Sequence, residues 1–444
     1  MSPDVVAWLG ILMLLSVCVL TLTTRWAIWE ILVCVSTVFS VLGLINGTFS
    51  LALLGLLSSR LLGLLENDLL QAIPLYVLFG LLLQASGLSQ DIFTLLKRIC
   101  WRLHLPQQTA VLLFSALIAP MNGSVAANAR LLKKLLTGNS LLPEHTDSLS
   151  LVSVSSTVGL VIPPSLVLIL MGDAMMRAHT EAYNSGLWMT NTQHVMNTAD
   201  MFNTAIVPGL VIFVLWLVIS VLVFRKTSRE ESLSSLQAPA ATLVRAWVAI
   251  GFIVLMLVNV FNGVMYAVEA AATGCLALLI YTALQPSSNP KKWLEVLKDT
   301  FAFSGSLLTL LVAATTFSLV IRLFETDQWI SRWIVGAPTD TFHTFMVLLG
   351  VGACAWLMDA FELIFVVIPV VSPGLMVHLG SAEKAAELLL LVIQLSYLVP
   401  PFGYAVVIAS QSASSVNKRQ LLNSLLPYWL VLLLVFAWVF LRSP

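Results

Sequence analysis

The chain alternates long apolar stretches with short polar ones along its whole length. Fourteen runs of eighteen or more residues contain no Asp, Glu, Lys or Arg, and one of these runs, 182–199, is polar. A helix needs about 20 apolar residues to cross the hydrocarbon core of a bilayer. A spanning segment must also satisfy its own backbone hydrogen bonds, which favours helices over open strands. The pattern therefore predicts an all-α, multi-pass membrane protein. The thirteen apolar runs are 5–24, 31–59, 69–90, 103–129, 148–172, 201–224, 246–268, 270–290, 300–321, 341–358, 363–382, 388–417 and 420–441.

Composition narrows the class of function. Hydrophobic residues make up 59% of the chain and charged residues only 10%, whereas soluble domains average about 25% charged residues. The net charge is zero, so nothing indicates a nucleic-acid partner. The five cysteines are scattered without metal-binding spacing. Motifs for nucleotide hydrolysis or hydrolase chemistry do not occur, and no organic cofactor is expected.

Two polar interruptions recur in each half of the chain with the same spacing. The interval from Asn122 to Pro163 equals the interval from Asp359 to Pro400, so a single sequence offset relates both features of one half to those of the other. Polar, helix-breaking sequence in corresponding positions of two hydrophobic halves is the signature of a secondary transporter built from an inverted repeat. The spacing predicts two re-entrant helical hairpins and two broken transmembrane helices.

This repeat divides the chain near its middle. The first half-repeat is predicted at 1–224, with a hairpin tip near 122–124 and a broken helix near 163–164. The second is predicted at 246–444, with a tip near 359 and a break near 400–401. Between them, 225–245 is a polar linker with three basic residues just beyond a span, which favours the cytoplasmic side.

The proline pairs point to ion binding. Proline lacks an amide donor and clashes with the preceding turn, so a pair in mid-span breaks the helix. The freed carbonyls are tolerated at membrane depth only where they face protein or a polar cavity. Thr157, Gly159 and Ser165 surround the first break and offer oxygens suited to a hard cation such as sodium. A single pair could equally be a packing kink; two pairs at matching positions favour sites.

The predicted tips carry the remaining chemistry. Asn122-Gly123-Ser124 interrupts an apolar run, which favours two half-length helices meeting at a ligand over a small-residue helix contact. Asp359 and Glu362 lie three residues apart, and an Asp costs about 2.5–3.5 kcal/mol at a helix centre in a membrane. Ion coordination is the interpretation that we weigh against a carboxylate placed merely at a helix end. The predicted sodium ligands are Asn122, Gly123, Ser124, Thr157, Gly159, Pro163, Ser165, Asp359, Pro400 and Gly403.

Solute contacts are predicted beside these ligands. An anionic solute between the tips would meet Ser124, Asn128, Arg130 and Glu362. For Arg130 the alternative is that its side chain extends to an aqueous surface with Lys133 and Lys134.

In these residues the chain resembles the large membrane subunit, the DctM-type permease, of tripartite ATP-independent periplasmic (TRAP) transporters. The likeness covers nearly the whole chain, and the ordered set of motifs is specific although each motif alone is weak. Asn122 replaces the first Ser of the family's tip, Val399 replaces the usual Thr before the second proline pair, and 173–203 is a long polar insertion. The matching segments are 73–75, 122–126, 159–165, 208–210, 359–369 and 400–403.

The resemblance implies a sodium-driven importer in the bacterial inner membrane that works by an elevator-like motion. It implies three kinds of partner besides lipid: a small membrane subunit, an extracytoplasmic solute-binding protein and a small solute, commonly an organic acid. Two alternatives remain open. A stand-alone ion-coupled carboxylate carrier would need no binding protein. An intramembrane enzyme, such as an aspartyl protease or an acyltransferase, is the other. A membrane aspartyl protease would need two carboxylates from facing helices, whereas Asp359 and Glu362 are neighbours on one helix.

Overall fold

A computed structural model describes the chain as helical. It describes residues 3–24, 26–66, 68–122, 124–138, 146–163, 165–184, 186, 197–225, 239–285, 290–336, 341–400, 402–411 and 418–442, and this part contains no β-strand. Of the predicted site residues, Gly123 lies outside these ranges, as do the second proline of each pair, most of the 225–245 linker and the centre of the 173–203 insertion.

The helices follow the apolar runs. The first eleven are α1 Pro3–Thr23, α2 Ile28–Ile45, α3 Leu51–Leu54, α4 Leu56–Leu65, α5 Asp68–Ala85, α6 Leu88–Arg102, α7 Thr109–Asn122, α8 Val125–Gly138, α9 Thr146–Thr157, α10 Leu166–Asn184 and α11 Thr198–Phe224. The remaining ones are α12 Ala240–Phe261, α13 Ala267–Ala283, α14 Pro290–Leu323, α15 Thr326–Gly336, α16 Thr341–Cys354, α17 Ala360–Glu362, α18 Ile368–Leu379, α19 Ala382–Tyr397, α20 Tyr404–Ser410 and α21 Lys418–Leu441.

The fold is that of a polytopic membrane protein, as the apolar runs predict. Seven helices within the described ranges are long and apolar enough to cross a bilayer, and an eighth span results if α5 and α6 count as one. These two helices meet at an angle of 70°. Gly87 lies at the bend with φ of +78°, a left-handed conformation that glycine adopts without a Cβ penalty.

Helix boundaries recur at the offset seen in the sequence. The first residues of α1 and α12 are separated by the same offset as Asn122 and Asp359, and those of α10 and α20 match it to within one position. The packing repeats as well: α2 packs against α14 while α5 packs against α13, and α8 packs against α20 while α10 packs against α18. In each of these two sets, both pairs join one helix of the first half to one helix of the second half. The second pair consists of the repeat equivalents of the first pair, with the two halves exchanged. This exchange is what an inverted repeat produces.

The helices form two packed groups. Helices α1–α6 and α12–α14 pack mainly on one another, and we call them, together with α15, the framework helices. Helix α15 packs on α1 and α14 and also extensively on α18. Helices α7–α11 and α16–α21 form the second set, the hairpin group. The two halves of the hairpin group are joined where Trp216 of α11 donates from Nε1 to the carbonyl of Tyr428 on α21 at 3.0 Å. Both aromatic residues are almost completely buried, so each group contains elements from both halves of the chain.

Candidate functional site

The first hairpin tip is neutral. Helix α7 ends at Asn122 and α8 begins at Val125. The Oγ of Ser124 accepts a hydrogen bond from the N–H of Ala127 at 3.4 Å, and its carbonyl accepts from the N–H of Asn128 at 3.0 Å. The side chains of Ser124 and Asn128 are both buried. The tip is therefore a weakly capped helix start with small polar side chains facing protein.

The first broken helix places hydroxyl groups on both sides of its break. Helix α9 ends at Thr157 and continues as one 3₁₀ turn, Val158–Leu160, before the chain resumes as α10. The Oγ1 of Thr157 donates to the carbonyl of Val154 at 2.9 Å. The Oγ of Ser165 accepts from the N–H of Leu168 at 3.1 Å, which caps α10. Thr157, Gly159 and Ser165 are buried, and Pro163 between them is half-buried.

The second hairpin tip is a charged helix cap. Asp359 precedes α17, and one of its carboxylate oxygens accepts from the N–H of Ala360 at 2.8 Å. The Glu362 carboxylate reaches back and accepts from the N–H of Asp359, also at 2.8 Å. Together they form a capping box, which satisfies backbone donors that a helix start leaves open. A π-helical turn, Leu363–Val367, follows directly and leads into α18.

The second broken helix closes over this tip. Helix α19 ends at Tyr397 and α20 begins at Tyr404, and the N–H of Gly403 donates to the carbonyl of Val399 across the break at 2.7 Å. The fully buried Tyr397 donates from its hydroxyl to the carbonyl of Met358 at 3.1 Å. Since Met358 directly precedes Asp359, this bond holds the second break against the second tip. Pro400 is half-buried and Gly403 is buried.

The two broken helices meet at equivalent residues. The Nε2 of Gln394 donates to the carbonyl of Thr157 at 3.4 Å, and the two residues are 237 apart in the sequence, which is the offset of the repeat. Gln394 is completely buried, and its Oε1 has no hydrogen-bond partner among the described residues. Thr157, at the start of the first break, therefore lies against the second broken helix, beside an additional buried amide oxygen.

The residues predicted to contact the solute occupy different environments. Arg130 is exposed on α8, and its positive charge interacts electrostatically with Tyr404 at the start of α20. Lys134 is exposed, whereas Lys133 is half-buried and donates to the carbonyl of Ile408 at 3.4 Å. Glu362 is half-buried and its Oε2 is engaged in the capping box. The structure thus groups Glu362 with the second tip and leaves Arg130 at the surface.

The arrangement suits a hard cation better than a transition metal. Across the described ranges, no three His, Cys, Asp or Glu side chains come together as a metal site. The groups at the two breaks are hydroxyl and backbone carbonyl oxygens, with carboxylates at the second tip. Oxygen ligands of this kind favour hard cations. The first region offers neutral oxygens and the second offers charged ones.

A cavity of about 800 Å³ lies between the framework helices and the hairpin group. Its walls come from α4, α5, α14 and α15 on one side and from α10 and α18 on the other. Charged residues of both signs line it, together with the start of the second hairpin's returning leg at Ile364 and Phe365. The lining charged residues are Arg60, Asp173, Arg177, Glu181, Arg322 and Asp327.

Sequence reasoning missed three features of this region. Gln394 lies at the repeat offset from Thr157, so applying that offset to each predicted ligand would have identified it. Tyr397 has no such signal, because its role depends on the position of Met358. The charged residues of the cavity belong to segments far apart in the sequence, and only the fold brings them together.

Comparison with known proteins identifies relatives over most of the chain. The sialic acid TRAP transporter large permease protein SiaM of Vibrio cholerae is 22% identical over 397 residues, which is 86% of this chain and 86% of that protein. The C4-dicarboxylate TRAP transporter large permease protein DctM of Pseudomonas aeruginosa is 23% identical over 381 residues, covering 84% and 83% of the two chains.

A solved structure has the same general fold. The YdaH transporter of Alcanivorax borkumensis superposes with a TM-score of 0.60 at 14% identity and covers 87% of this chain and 86% of its own. Residues 12–442 match the family described as "Tripartite ATP-independent periplasmic transporter, DctM component". This places the protein among transporters rather than enzymes, in the bacterial inner membrane. The chain belongs to the DctM family and is the large permease of a TRAP solute-uptake system.

Proposed function

We propose that the permease couples uptake of a small organic anion to sodium, with the ions held at two unequal sites beside the two helix breaks. The observation that carries this proposal is the hydrogen bond between Gln394 and Thr157, because it brings oxygen-rich breaks from both halves together. The first site uses Ser124, Thr157 and Ser165 with neighbouring carbonyls. The second uses Asp359 and the carbonyls of the break at Pro400–Gly403.

The hairpin group moves as a unit against the framework helices in this proposal. Motion of one repeat-built body against another around a central site is how such transporters achieve alternating access. A charged cavity lies between the two groups, so their boundary is not fully packed there, and this supports a sliding motion along it. The polar linker at 225–245 is cytoplasmic in this arrangement. Asn122 at the first tip and Arg130 on α8 complete the set of solute and ion contacts.

The proposed partners are a small membrane subunit and an extracytoplasmic binding protein that delivers the solute. An organic acid is favoured because relatives named for sialic acid and for C4-dicarboxylates both match over more than four fifths of this chain. A thermal-shift screen of the partner binding protein against small organic acids identifies the solute. N-acetylneuraminate and succinate are the first two probes.

Uptake into proteoliposomes tests the coupling. Vesicles containing the permease, the small subunit and the binding protein are assayed with the solute from the screen, with an inward sodium gradient and with potassium in its place. We expect uptake only with sodium and only with the binding protein. Equal uptake in potassium would refute sodium coupling, and uptake without the binding protein would favour the stand-alone carrier.

Asp359→Asn tests the second site separately. Asn is as good a helix cap as Asp, so the variant removes the charge and keeps the cap. Loss of a charge-assisted interaction of about 1.5–3 kcal/mol corresponds to roughly a tenfold to hundredfold weaker response to sodium. Asp91→Asn is the control, because Asp91 pairs with Arg245 at 3.2 Å between framework helices. Unchanged sodium dependence in Asp359→Asn would remove this residue from the ion site.

A further inference from the structure

An ion pair between described residues crosses the boundary between the two groups of helices. Arg322, in the last turn of α14, donates from Nη2 to Oε2 of Glu181 on α10. Helix α14 belongs to the framework and α10 to the hairpin group. The side chains are 33% and 19% exposed, so both charges are partly withdrawn from water. A charge pair in such a setting is screened less by salt than an exposed pair.

The position of Glu181 on its helix indicates that it serves this contact. It lies three residues before the end of α10 at Asn184. The negative end of the helix dipole makes the C-terminal turn a poor place for a carboxylate and a good one for a cation. Arg322 occupies the favourable position on its own helix. The Glu181 carboxylate is therefore stabilised by its partner across the boundary and not by its own helix.

The framework holds Arg322 in place for this contact. The Oδ2 of Asp327 on α15 lies 4.0 Å from the Nε of Arg322, and Asp327 is buried. Both residues belong to the framework helices, so Arg322 keeps an acidic neighbour if Glu181 moves away. The charged side chains that interact with Glu181, namely Arg322, Asp327 and Arg60, all belong to the framework helices, whereas the nearby Arg177 on α10 pairs with Asp173 at 3.0 Å. The guanidinium is thus fixed to the framework, and the carboxylate is the part that can leave.

The cavity next to the pair provides for its release. Glu181, Arg322 and Asp327 all line the cavity of about 800 Å³, and so does Arg60 of α4. Burial and the nearby charge of Arg322 lower the pKa of the Arg60 guanidinium, while Glu181 and Asp327 raise it. Arg60 is therefore a second cation within electrostatic range of the Glu181 carboxylate. Water and Arg60 can stabilise Glu181 during its separation from Arg322.

We propose that Glu181 and Arg322 form a reversible ionic latch that holds the hairpin group against the framework in the position described. The latch rests on the motion in the proposed function, because it has a role only if the two groups slide. Its release is a step that each transport cycle must include. It makes the described position more populated than it would be with neutral side chains at these places.

Sided labelling of a reporter cysteine tests the latch. Ser318 lines the cavity and is half-buried, so Ser318→Cys reports the side to which the cavity opens. A membrane-impermeant maleimide is applied to right-side-out and to inside-out membrane vesicles, and the background from the five native cysteines is subtracted with the parent protein. We expect Glu181→Gln, combined with Ser318→Cys, to shift the ratio of the two labelling rates about threefold or more. The shift should be towards the face from which Ser318→Cys alone is labelled more slowly.

Two further variants make the test specific. Asp173→Asn removes a carboxylate that lines the same cavity and lies on the same helix but is not part of the latch. Its labelling ratio, also measured with Ser318→Cys, should equal that of Ser318→Cys alone. Arg322→Lys keeps the charge and loses the guanidinium fork, so a shift in the same direction but smaller is expected. An unchanged ratio in Glu181→Gln, or an equal shift in Asp173→Asn, overturns the latch. If Glu181→Gln does not fold, an unchanged labelling ratio in Arg322→Lys overturns the latch instead.

The labelling experiment is independent of uptake. It requires no sodium, solute or binding protein, so a failed sodium-coupling assay would leave its result intact. Conversely, a shifted labelling ratio with sodium-independent uptake would retain the latch and reject the coupling. A labelling ratio that no variant changes, together with sodium-driven uptake, would reject the latch alone.

Discussion

The two hairpin tips and the two helix breaks lie at equivalent positions of the repeat, and the two halves differ in their chemistry there. The first tip is capped by a serine at 3.4 Å, whereas the second is capped by two carboxylates at 2.8 Å each. After the first break the chain continues as a helix of 19 residues, and after the second as a helix of only 7. The repeat therefore specifies where the helices break, and each half then supplies its own means of stabilising the broken ends.

Substitution of the glycine in or against each break gives the largest expected effect: Gly403 lies in the second break, and Gly209 on α11 lies against Val161 of the first. A Cβ on Gly403 would meet the Tyr397 carbonyl oxygen at 2.4 Å and two more backbone atoms within 3.0 Å, and a Cβ on Gly209 would meet the Val161 carbonyl oxygen at 2.3 Å. We expect Gly403→Ala to lower stability by about 1–3 kcal/mol, the usual cost of overpacking, and Gly209→Ala by somewhat less. Thermal unfolding of the purified protein in detergent measures both.

Gly251→Ala is the matched control, since a Cβ there meets nothing within 4 Å and Ala is the better helix former. Its melting temperature should equal or exceed that of the parent. A melting temperature of Gly403→Ala as high as that of the control would mean that the second break tolerates the repacking and that its close backbone approach is not required.

The caps of the two tips should differ in the same direction. Asp359→Ala removes the carboxylate that accepts from the N–H of Ala360, and loss of an N-cap typically costs about 1 kcal/mol. The backbone N–H of residue 359 remains available to Glu362. Ser124→Ala removes a longer and weaker hydrogen bond, so a smaller loss is expected. Hydrogen exchange of the amides at 360–363 and at 125–128 locates each effect. Equal losses at the two tips would show that the capping box adds nothing beyond an ordinary cap.

The short helix after the second break should depend on a lysine of the first hairpin. Lys133 donates to the carbonyl of Ile408 in the last turn of α20 at 3.4 Å, where a cation also complements the helix dipole. Lys133→Met should lower stability by at most about 1 kcal/mol, given the length of the bond. The exposed Lys134→Met serves as control in the same unfolding assay. Equal melting temperatures of the two variants would mean that α20 needs no support from α8.

Much of the fold follows from the pattern of residues. Charge-free runs predict the spans because charges are expensive in lipid, and helix-breaking residues at 163 and 400 predict the breaks because proline ends a helix. The spacing of Asp359 and Glu362 also carries the signature of a capping box. The predicted role of these carboxylates is ion coordination, with a position at a helix end as the alternative. The structure supplies that helix-end role, and the ion role stays a prediction.

The remaining contacts could not be predicted from the sequence. Glu181 and Arg322 are 141 residues apart, and Lys133 and Ile408 are 275 apart. Such pairs depend on how helices pack, and packing of apolar faces in a membrane leaves little trace in hydropathy. Gln394 is an exception, because the repeat offset links it to Thr157. Internal symmetry is thus a source of long-range contacts that a single chain contains by itself.

The hydrogen bond between Gln394 and Thr157 has a consequence for how the halves differ. Where equivalent residues of an inverted repeat touch, the local two-fold axis passes between them, and a perfectly symmetrical chain would place each side chain against its own copy. The contact here is asymmetric instead, because Gln394 donates from its side-chain amide and Thr157 accepts with its backbone carbonyl. Substitution of Gln394 therefore removes a bond that both halves share, so the axis is the place where one change acts on two sites.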